Sequence, residues 1–218
     1  QSLPNNYTIK QALSVCHRPP VDTPYHLLEL GIHPAQQRLA LEELVAHQVS
    51  MLEKKHVFQE VSALSFEPNI ELNNQFLQQL PFTPTNAQQR VIADIYNDIK
   101  QPRPMLRLVQ GDVGSGKTLV AVMAALAVIG AGNQVAMMAP TEILAEQHAN
   151  SFKQWLEPLG IEVVWLAGKT KAAERRIALE KISSGSAKMV IGTHALFQES
   201  VQFHNLALNI IDEQHRFG

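Results

Sequence analysis

Short apolar runs alternate with helical stretches over the second half of the chain. The β-rich runs are Gln134–Ala139, Val163–Leu166, Met189–Gly192 and Leu208–Ile211. Helical stretches lie between them at about Glu142–Leu156 and Lys171–Ser183. Strands that alternate with helices of this length form units with right-handed crossovers. The pattern therefore predicts an α/β fold with a parallel sheet and helices on both of its faces.

The first part of the chain, up to about Leu80, has helical periodicity and contains a single glycine, Gly31. Pro34 is placed to begin a long helix, and Asn69 to cap a later one. Apolar positions recur along the long helix at helical spacing, at Leu41, Val45, Val49 and Leu52. We expect this stripe to pack against a neighbour. Residues 1–80 are thus predicted to form a helical linker segment without chemistry of its own.

The pattern changes from Pro81 onward. Thr85 can cap a helix whose buried face consists of Val91, Ile92, Ile95, Tyr96 and Ile99. An apolar run at Met105–Val109 and a longer apolar stretch at Leu119–Ile129 follow it. We interpret the run as a strand and the longer stretch as a buried helix, which makes residues 81–218 the second domain.

Between these two stretches lies the segment Gly111-Asp112-Val113-Gly114-Ser115-Gly116-Lys117-Thr118. Strand, glycine-rich loop and helix is the order that a phosphate-binding P-loop requires. The glycines permit turns that a Cβ would forbid, so that backbone N–H groups can surround an anion at a helix N-terminus. Lys117 adds a cation that can reach the outer phosphates, and the Thr118 hydroxyl is an oxygen ligand of the kind that Mg²⁺ prefers. These eight residues are the predicted nucleotide-binding loop, although a glycine-rich surface turn is the alternative interpretation.

An acidic pair, Asp212-Glu213, directly follows the apolar run that ends at Ile211. The carboxyl end of a buried strand is where an α/β sheet builds its site. Asp212 is placed to hold Mg²⁺ through its water shell, and Glu213 to orient and deprotonate the attacking water. Two adjacent carboxylates could by themselves form a solvated turn, but a P-loop in the same sheet favours the catalytic interpretation. The candidate catalytic residues are Lys117, Asp212 and Glu213, and the candidate Mg²⁺ ligands are Thr118 and Asp212.

Composition narrows the class of protein. The formal charge of −2 over 218 residues does not indicate a nucleic-acid partner, so such a partner has to be argued from local sites. The single cysteine, Cys16, cannot form an internal disulfide, which fits a reducing compartment. No leader opens the chain, and the longest apolar run, Leu119–Ile129, is too short to span a bilayer. We therefore expect a soluble cytoplasmic protein with no membrane contact.

Four segments in combination resemble the first motor lobe of superfamily-two DNA helicases, and of the bacterial RecG family in particular. They are Gly111–Thr118, Ala139–His148, Gly192–His194 and Asp212–Gly218. The helix that begins at His33-Pro34 also resembles the segment that joins the DNA-fork wedge of that family to its motor. The resemblance implies a helical N-terminal linker followed by a partial RecA-like lobe, which runs from the Q motif to motif II. It also implies ATP-driven remodelling of branched DNA in recombination and repair.

The resemblance assigns further roles position by position. Gln88 matches the Q motif, which reads adenine through its amide, although without the other motifs a surface glutamine would be the simpler interpretation. Gln214 and His215 would couple the phosphate state to DNA and to the other lobe. Candidate DNA contacts lie where two strands end, at Pro140, Thr141, Glu142, Gly192, Thr193 and His194. Backbone N–H groups and threonine hydroxyls there can bind DNA phosphates without reading sequence, and Thr141 can also serve as a helix cap. A basic cluster at Lys169, Lys171, Arg175 and Arg176 is interpreted, on charge alone, as a solvated face.

The implied cofactors are ATP and Mg²⁺. The implied partners are branched DNA, such as forks and Holliday junctions, and a single-stranded-DNA-binding protein, with the protein acting as a monomer. The family motor also needs a second lobe, whose arginine stabilises transition-state charge. We therefore expect the chain to be a fragment that hydrolyses ATP negligibly by itself. In lobes of this kind another strand separates the P-loop strand from the motif II strand, so Leu106–Val109 and Leu208–Ile211 are expected not to pair directly.

Two other functions stay open at this point. The first is the motor lobe of a transcription-repair coupling translocase, whose motif II usually reads Asp-Glu-Glu-His. Gln214, Ser115 in the P-loop and the helix over His33–Gln48 favour the RecG family instead. The second is a P-loop ATP-binding module that acts on a protein partner and never touches DNA, which the near-neutral charge permits. A steep salt dependence of fork-DNA binding would separate these functions.

Overall fold

The computed structural model describes residues 7–168 and 171–214, and the chain divides into two compact units, Gln1–Val61 and Ser62–Gly218. The first unit contains helices α1 (Ile9–His17), α2 (Tyr25–Glu29) and α3 (Pro34–Glu60). The second contains helices α4 (Ile70–Gln79), α5 (Asn86–Ile99), α6 (Lys117–Gly130), α7 (Glu142–Leu156) and α8 (Ala172–Ser183). Its strands are β1 (Gln134–Met138), β2 (Val163–Leu166), β3 (Met189–Gly192) and β4 (Leu206–Ile211). Short 3₁₀ turns cover Glu157–Leu159 and His194–Phe197.

Helix α3 begins where the sequence predicts, and its start is fixed by side-chain caps. His33 Nδ1 accepts a hydrogen bond from the N–H of Ala35 at 3.1 Å, and Gln36 Oε1 accepts one from the N–H of His33 at 3.3 Å. Helix α1 packs against α3, and each of the two contributes a fully buried alanine, Ala12 and Ala35. Alanine at such a contact lets two helices approach closely, so the first unit is built around small residues.

The apolar stripe predicted along α3 does not become a buried face. Val45, Val49 and Leu52 are 50%, 47% and 57% exposed. Leu44 and Met51, which lie off the stripe, are also exposed at 67% and 51%. Leu41, the first residue of the stripe, is half-buried, so the expected packing is wrong in this structure for Val45, Val49 and Leu52.

The second unit is built on a parallel sheet with the strand order β2-β3-β1-β4. Alternate residues of β1 enter different cores: Val135 and Met137 pack with α5, α6 and α7, whereas Ala136 and Met138 pack on the side of α8. This alternation is what a strand buried on both faces requires. The predicted α/β fold with helices on both faces of a parallel sheet is confirmed.

Helix α4 belongs to the second unit rather than to the N-terminal helical segment. It packs on α6 and α7, and its Phe76 is fully buried in their core beside Trp155. The division between the units therefore falls at Val61, whereas the sequence pattern placed it at Leu80. Helical periodicity alone cannot show which core a helix joins, because that depends on where its apolar face is buried.

The run Met105–Val109 is not a strand in this structure, which corrects the prediction for the segment before the P-loop. Met105 and Val109 still pack on the core, while Leu106 and Leu108 are 86% and 67% exposed. The alternation of a strand is thus present, but a strand is defined by a hydrogen-bonded partner. Within the described residues β4 pairs with β1 and forms no ladder with Met105–Val109. Because that run is not a strand here, the strand order implied by the resemblance stays a prediction.

None of the helices in the described part of the chain combines the length and the apolar character that crossing a membrane needs.

Candidate nucleotide-binding site

The glycine-rich loop folds into a tight concavity at the start of α6. Gly114 and Gly116 have φ angles of +81° and +79°, in the left-handed region that favours glycine. The N–H of Ser115 donates to the carbonyl of Asp112 at 3.1 Å, which closes the turn. A Cβ at Gly111 would lie 2.6 Å from Ser115 Oγ. The loop therefore packs so closely at Gly111 that a Cβ there would crowd the Ser115 hydroxyl. Its form is that of an anion-binding nest.

The Lys117 ammonium group lies within this loop. Its Nζ donates to the carbonyl oxygens of Gly111 at 2.7 Å and Asp112 at 2.9 Å. Lys117 is also the first residue of α6, whose N-terminus carries the positive end of the helix dipole. A cation, a helix N-terminus and its dipole thus lie together at this loop, which is the electrostatic arrangement that binds phosphates.

Gln88 connects α5 to the loop. Its Oε1 accepts from the N–H of Thr85 at 2.8 Å, which completes a capping box at the start of α5. Its Nε2 donates to the carbonyl of Ser115 at 2.9 Å. A Cβ at Gly116 would lie 2.3 Å from this nitrogen, so the two segments are in close contact. A side-chain amide has two donor hydrogens and two acceptor lone pairs, so one of each is left for a ligand.

The sheet topology brings the P-loop and Asp212 to the same edge. Helix α6 packs on β1 and β4, and three residues connect its end to the beginning of β1. Its beginning therefore lies at the opposite edge, where the parallel strands have their carboxyl ends. Asp212 directly follows β4 at that edge, and its N–H donates to the carbonyl of Met138 at 2.9 Å.

The two carboxylates of the acidic pair have different environments. Asp212 Oδ2 lies 2.6 Å from His148 Nε2, and the Asp212 side chain is 27% exposed. Glu213 has a φ of 52°, which is unusual for a residue with a side chain. Left-handed backbone at a residue other than glycine is often found at functional sites. Asp212 is thus partly buried against His148, whereas Glu213 is exposed in the turn after β4.

These residues fit ATP and Mg²⁺. The described residues contain no group of three or more His, Cys, Asp or Glu side chains that could hold a metal ion by themselves. Mg²⁺ usually keeps several waters and binds one or two carboxylates together with substrate phosphates. The Thr118 hydroxyl at the start of α6 and the Asp212 carboxylate provide oxygen donors of that type, while the loop provides the phosphate cradle.

The candidate DNA contacts at the ends of β1 and β3 lie next to each other. These strands are neighbours in the sheet, and the N–H of Ala139 donates to the carbonyl of Gly192 at 3.0 Å. Thr141 caps α7, because its Oγ1 accepts from the N–H of Leu144 at 3.3 Å. Thr141 and His194 are exposed, whereas Gly192 is buried. Thr141 is therefore a helix cap, and its exposed position is also compatible with a contact to DNA phosphates.

Other predicted residues are distributed as follows. Gln214 is exposed next to the acidic pair, and His215 lies outside the described residues, as does Lys169 of the basic cluster. Arg176 forms an ion pair with Glu180 at 2.8 Å, within α8. Arg175 instead donates to Gln198 Oε1 at 2.6 Å, so it ties α8 to the segment that follows the second 3₁₀ turn.

His148 is a site residue to which the sequence analysis gave no role. It occupies a position of α7 between the buried Ala145 and Phe152, three residues after one and four before the other. A polar residue beside a buried helical stripe normally has a polar partner, since a buried polar group without one is costly. The sequence therefore indicates that His148 needs a polar partner, but it does not show that this partner is Asp212, 64 residues away.

The chain belongs to the DEAD/DEAH box helicase family, whose family model matches residues 85–218. The match covers the Gln88 helix, the P-loop and the acidic pair, which are the parts of the site described above.

More particularly, the chain is similar to ATP-dependent DNA helicase RecG of Haemophilus influenzae, with 59% identity over 99% of the chain and 31% of the relative. RecG of Escherichia coli (strain K12) is 58% identical over 97% of the chain and 30% of the relative. A solved structure of RecG bound to a three-way DNA junction matches with a TM-score of 0.80 and 38% identity, over 96% of the chain and 31% of that structure. The chain thus spans about 31% of the length of these relatives, and the resemblance inferred from the sequence motifs is confirmed.

Proposed function

We propose that the chain is the ATP-binding part of an ATP-dependent DNA helicase that remodels branched DNA, such as replication forks and Holliday junctions. The observation that supports this proposal is the packing of α6, which follows the glycine loop, on β1 and on β4, which ends directly before Asp212, in a chain similar to RecG helicases over nearly its whole length. The transcription-repair coupling translocase and the ATP module for a protein partner are not favoured, because the relatives that match at 58–59% identity are RecG helicases.

Some of the chain's own residues would bind the phosphates and the cation, and Glu213 would position the attacking water. The loop N–H groups and Lys117 bind and orient the phosphates, and Thr118 and Asp212 hold the cation with its waters. Glu213 aligns the attacking water with the phosphorus and accepts a proton from that water. When bound, ATP would supply the phosphoryl group and Mg²⁺ would supply positive charge beside it. Gln88, which already contacts the loop at Ser115, would link adenine recognition to the phosphate cradle.

DNA binding is assigned to the edge formed by Pro140–Glu142 and Gly192–His194. Contacts of this type reach phosphate oxygens rather than base edges, so they provide position and affinity without sequence preference. The RecG structure with a three-way junction supports a branched substrate for this chain's intact protein. We further propose that the intact protein acts in the cytoplasm. Its action as a monomer and its binding to a single-stranded-DNA-binding protein stay predictions of the resemblance.

The test is ATP hydrolysis by the intact protein with and without fork DNA, at several salt concentrations. We expect hydrolysis that fork DNA stimulates strongly, and fork binding that weakens steeply as salt rises, because phosphate contacts release counterions. Hydrolysis that is indifferent to every DNA structure, together with salt-independent binding, would refute the proposal.

A further inference from the structure

We infer that His148 is a positioning residue that fixes the Asp212 carboxylate for magnesium. The inference rests on the proposed function, because it concerns the carboxylate proposed to hold Mg²⁺.

The contact between the two side chains is short and partly shielded from water. His148 Nε2 and Asp212 Oδ2 are 2.6 Å apart, and the side chains are 15% and 27% exposed. An ionised carboxylate can only accept hydrogen bonds, so Nε2 is the donor. Hydrogen bonds to a charged group are stronger than neutral ones, and partial burial strengthens them further. The contact therefore restrains the orientation of the carboxylate.

The two partners differ in how firmly they are held. His148 lies on α7 between positions that are fully buried, such as Ala145 and Phe152, and α7 packs on β2 and β3. Asp212 stands at the start of the turn after β4, and the next two residues, Glu213 and Gln214, are exposed. A helix packed on the sheet thus provides the donor, and the residue that begins an exposed turn provides the carboxylate. A hydrogen bond from a side chain held by packing is the kind of support that fixes the geometry of a site residue.

The geometry is compatible with magnesium binding at the same carboxylate. A carboxylate has two oxygens and about four acceptor positions, of which His148 uses one, on Oδ2. The remaining positions can accept hydrogen bonds from the water shell of the cation. Groups that hydrogen-bond to metal-binding side chains in this way typically change metal affinity by about 10- to 100-fold when they are removed.

The test measures how much Mg²⁺ the intact protein needs to bind a fluorescent ATP analogue, for wild type and four variants. His148→Ala removes the donor, and His148→Gln keeps a donor, because a glutamine amide can replace the ring N–H. Asn150→Ala, at an exposed position of the same helix, is the matched control. Asp212→Asn removes the charge of the carboxylate itself. Thermal unfolding of each variant is recorded in parallel.

We expect His148→Ala to raise the Mg²⁺ concentration for half-maximal binding by about tenfold or more. His148→Gln should need less Mg²⁺ than His148→Ala but more than wild type. Asn150→Ala should need the same Mg²⁺ concentration as wild type, and Asp212→Asn at least as much as His148→Ala. The melting temperature of His148→Ala should fall too little to explain its change in Mg²⁺ requirement.

Two results would overturn the inference while leaving the proposed function intact. One is a wild-type Mg²⁺ requirement in His148→Ala together with a raised one in Asp212→Asn. The other is a lowered requirement in His148→Ala, which would mean that His148 competes with the cation. A wild-type requirement in Asp212→Asn would instead remove the magnesium role that the proposed function gives to Asp212, and with it the inference about His148. If His148→Ala fails to fold, His148→Phe, which keeps the ring without the donor, is judged by the same results.

Discussion

Lys117 Nζ lies 2.7 Å from the carbonyl oxygen of Gly111, so the cation that is expected to meet the phosphates is held by the loop's own backbone. The same nitrogen lies 2.9 Å from the carbonyl of Asp112. Both contacts are made by one flexible side chain and can be exchanged for phosphate oxygens without a change in the fold. These contacts keep the lysine cation at the loop.

The first prediction concerns this lysine. In the intact protein, Lys117→Ala should reduce ATP hydrolysis by at least about 100-fold, the usual effect of removing one group that stabilises developing charge. Fork-DNA binding should be retained, because the proposed DNA contacts lie elsewhere on the sheet edge. Lys188→Ala is the matched control, since Lys188 Nζ also donates to a backbone carbonyl, that of Gly132, at 2.8 Å. Near-normal turnover in Lys117→Ala would contradict the assignment of Lys117.

The second prediction separates backbone strain from phosphate binding. Gly114 and Gly132 have similar φ angles, +81° and +86°, and a Cβ at either would meet nothing within 4 Å. Gly114→Ala and Gly132→Ala should each lower the free energy of unfolding by about 1–2 kcal/mol, the cost of left-handed backbone for a residue with a Cβ. Only Gly114→Ala should also weaken ATP binding, because only Gly114 lies in the loop. Calorimetry and nucleotide titration measure the two effects, and equal ATP affinities would argue against a phosphate cradle here.

Several features of this fold were predictable because they depend on short segments. Helix α5 begins after Thr85, since the threonine side chain and Gln88 close a capping box within four residues. Strand β2 was predicted with the observed bounds, Val163–Leu166, because a short apolar run between helices has few other structures available. The P-loop was identified from its own spacing, which encodes the turns that its glycines adopt.

Other features depend on contacts between residues that are far apart in the sequence, and a local sequence pattern does not show such contacts. Met105–Val109 has the alternation of a strand, yet a strand also needs a neighbour to pair with. The contact between His148 and Asp212 joins residues 64 positions apart, so no local rule could locate it. The placement of α4 followed from the burial of Phe76 in the second core, which is likewise a property of the tertiary structure.

The third prediction concerns stability at high pH. Burial raises the pKa of Tyr96 from 10.0 to about 12, against a smaller opposite effect of the neighbouring Asn73 side chain. The folded state therefore keeps Tyr96 neutral at a pH where the unfolded state ionises it. The contribution of Tyr96 to stability is complete below pH 10 and is lost as the pH rises toward 12.

Tyr96→Phe tests this directly. The variant should be less stable than wild type near neutral pH by about 0.5–1.5 kcal/mol, because the hydroxyl donates to the carbonyl of Met123. The difference should shrink between pH 10 and 12, since phenylalanine cannot ionise. Denaturant unfolding at a series of pH values gives both quantities, and a constant difference would contradict a partly buried Tyr96 that stays neutral in the folded state.

The fourth prediction concerns the 218-residue chain by itself. It should hydrolyse ATP negligibly, with or without fork DNA, because the family motor takes its transition-state arginine from a second lobe. An arginine of this kind is worth about three to five orders of magnitude in rate. The intact protein measured alongside is the positive control. Robust DNA-stimulated hydrolysis by the chain alone would show that every required group lies within these residues.

The last prediction concerns Gln134, the first residue of β1, whose side chain is fully buried and makes four hydrogen bonds. Nε2 donates to the carbonyls of Ile182 at 2.9 Å and Ala187 at 2.8 Å. Oε1 accepts from the N–H groups of His204 at 2.8 Å and Asn205 at 3.1 Å. One amide thus joins the end of α8 and the segments that lead into β3 and β4.

Gln134→Leu keeps the approximate volume of this side chain but leaves four backbone groups without their partner, two in buried bonds and two in partly buried ones. A buried polar group that loses its partner costs about 1–3 kcal/mol, so the two buried carbonyls alone should cost the variant at least about 2 kcal/mol of unfolding free energy. Gln101→Leu is the control, because the exposed Gln101 makes one long bond, at 3.5 Å to the carbonyl of Asn97. Its stability should change by less than about 0.5 kcal/mol. Equal stabilities in urea titration would mean that the Gln134 network adds nothing to the sheet, and that apolar packing alone holds the strand starts together.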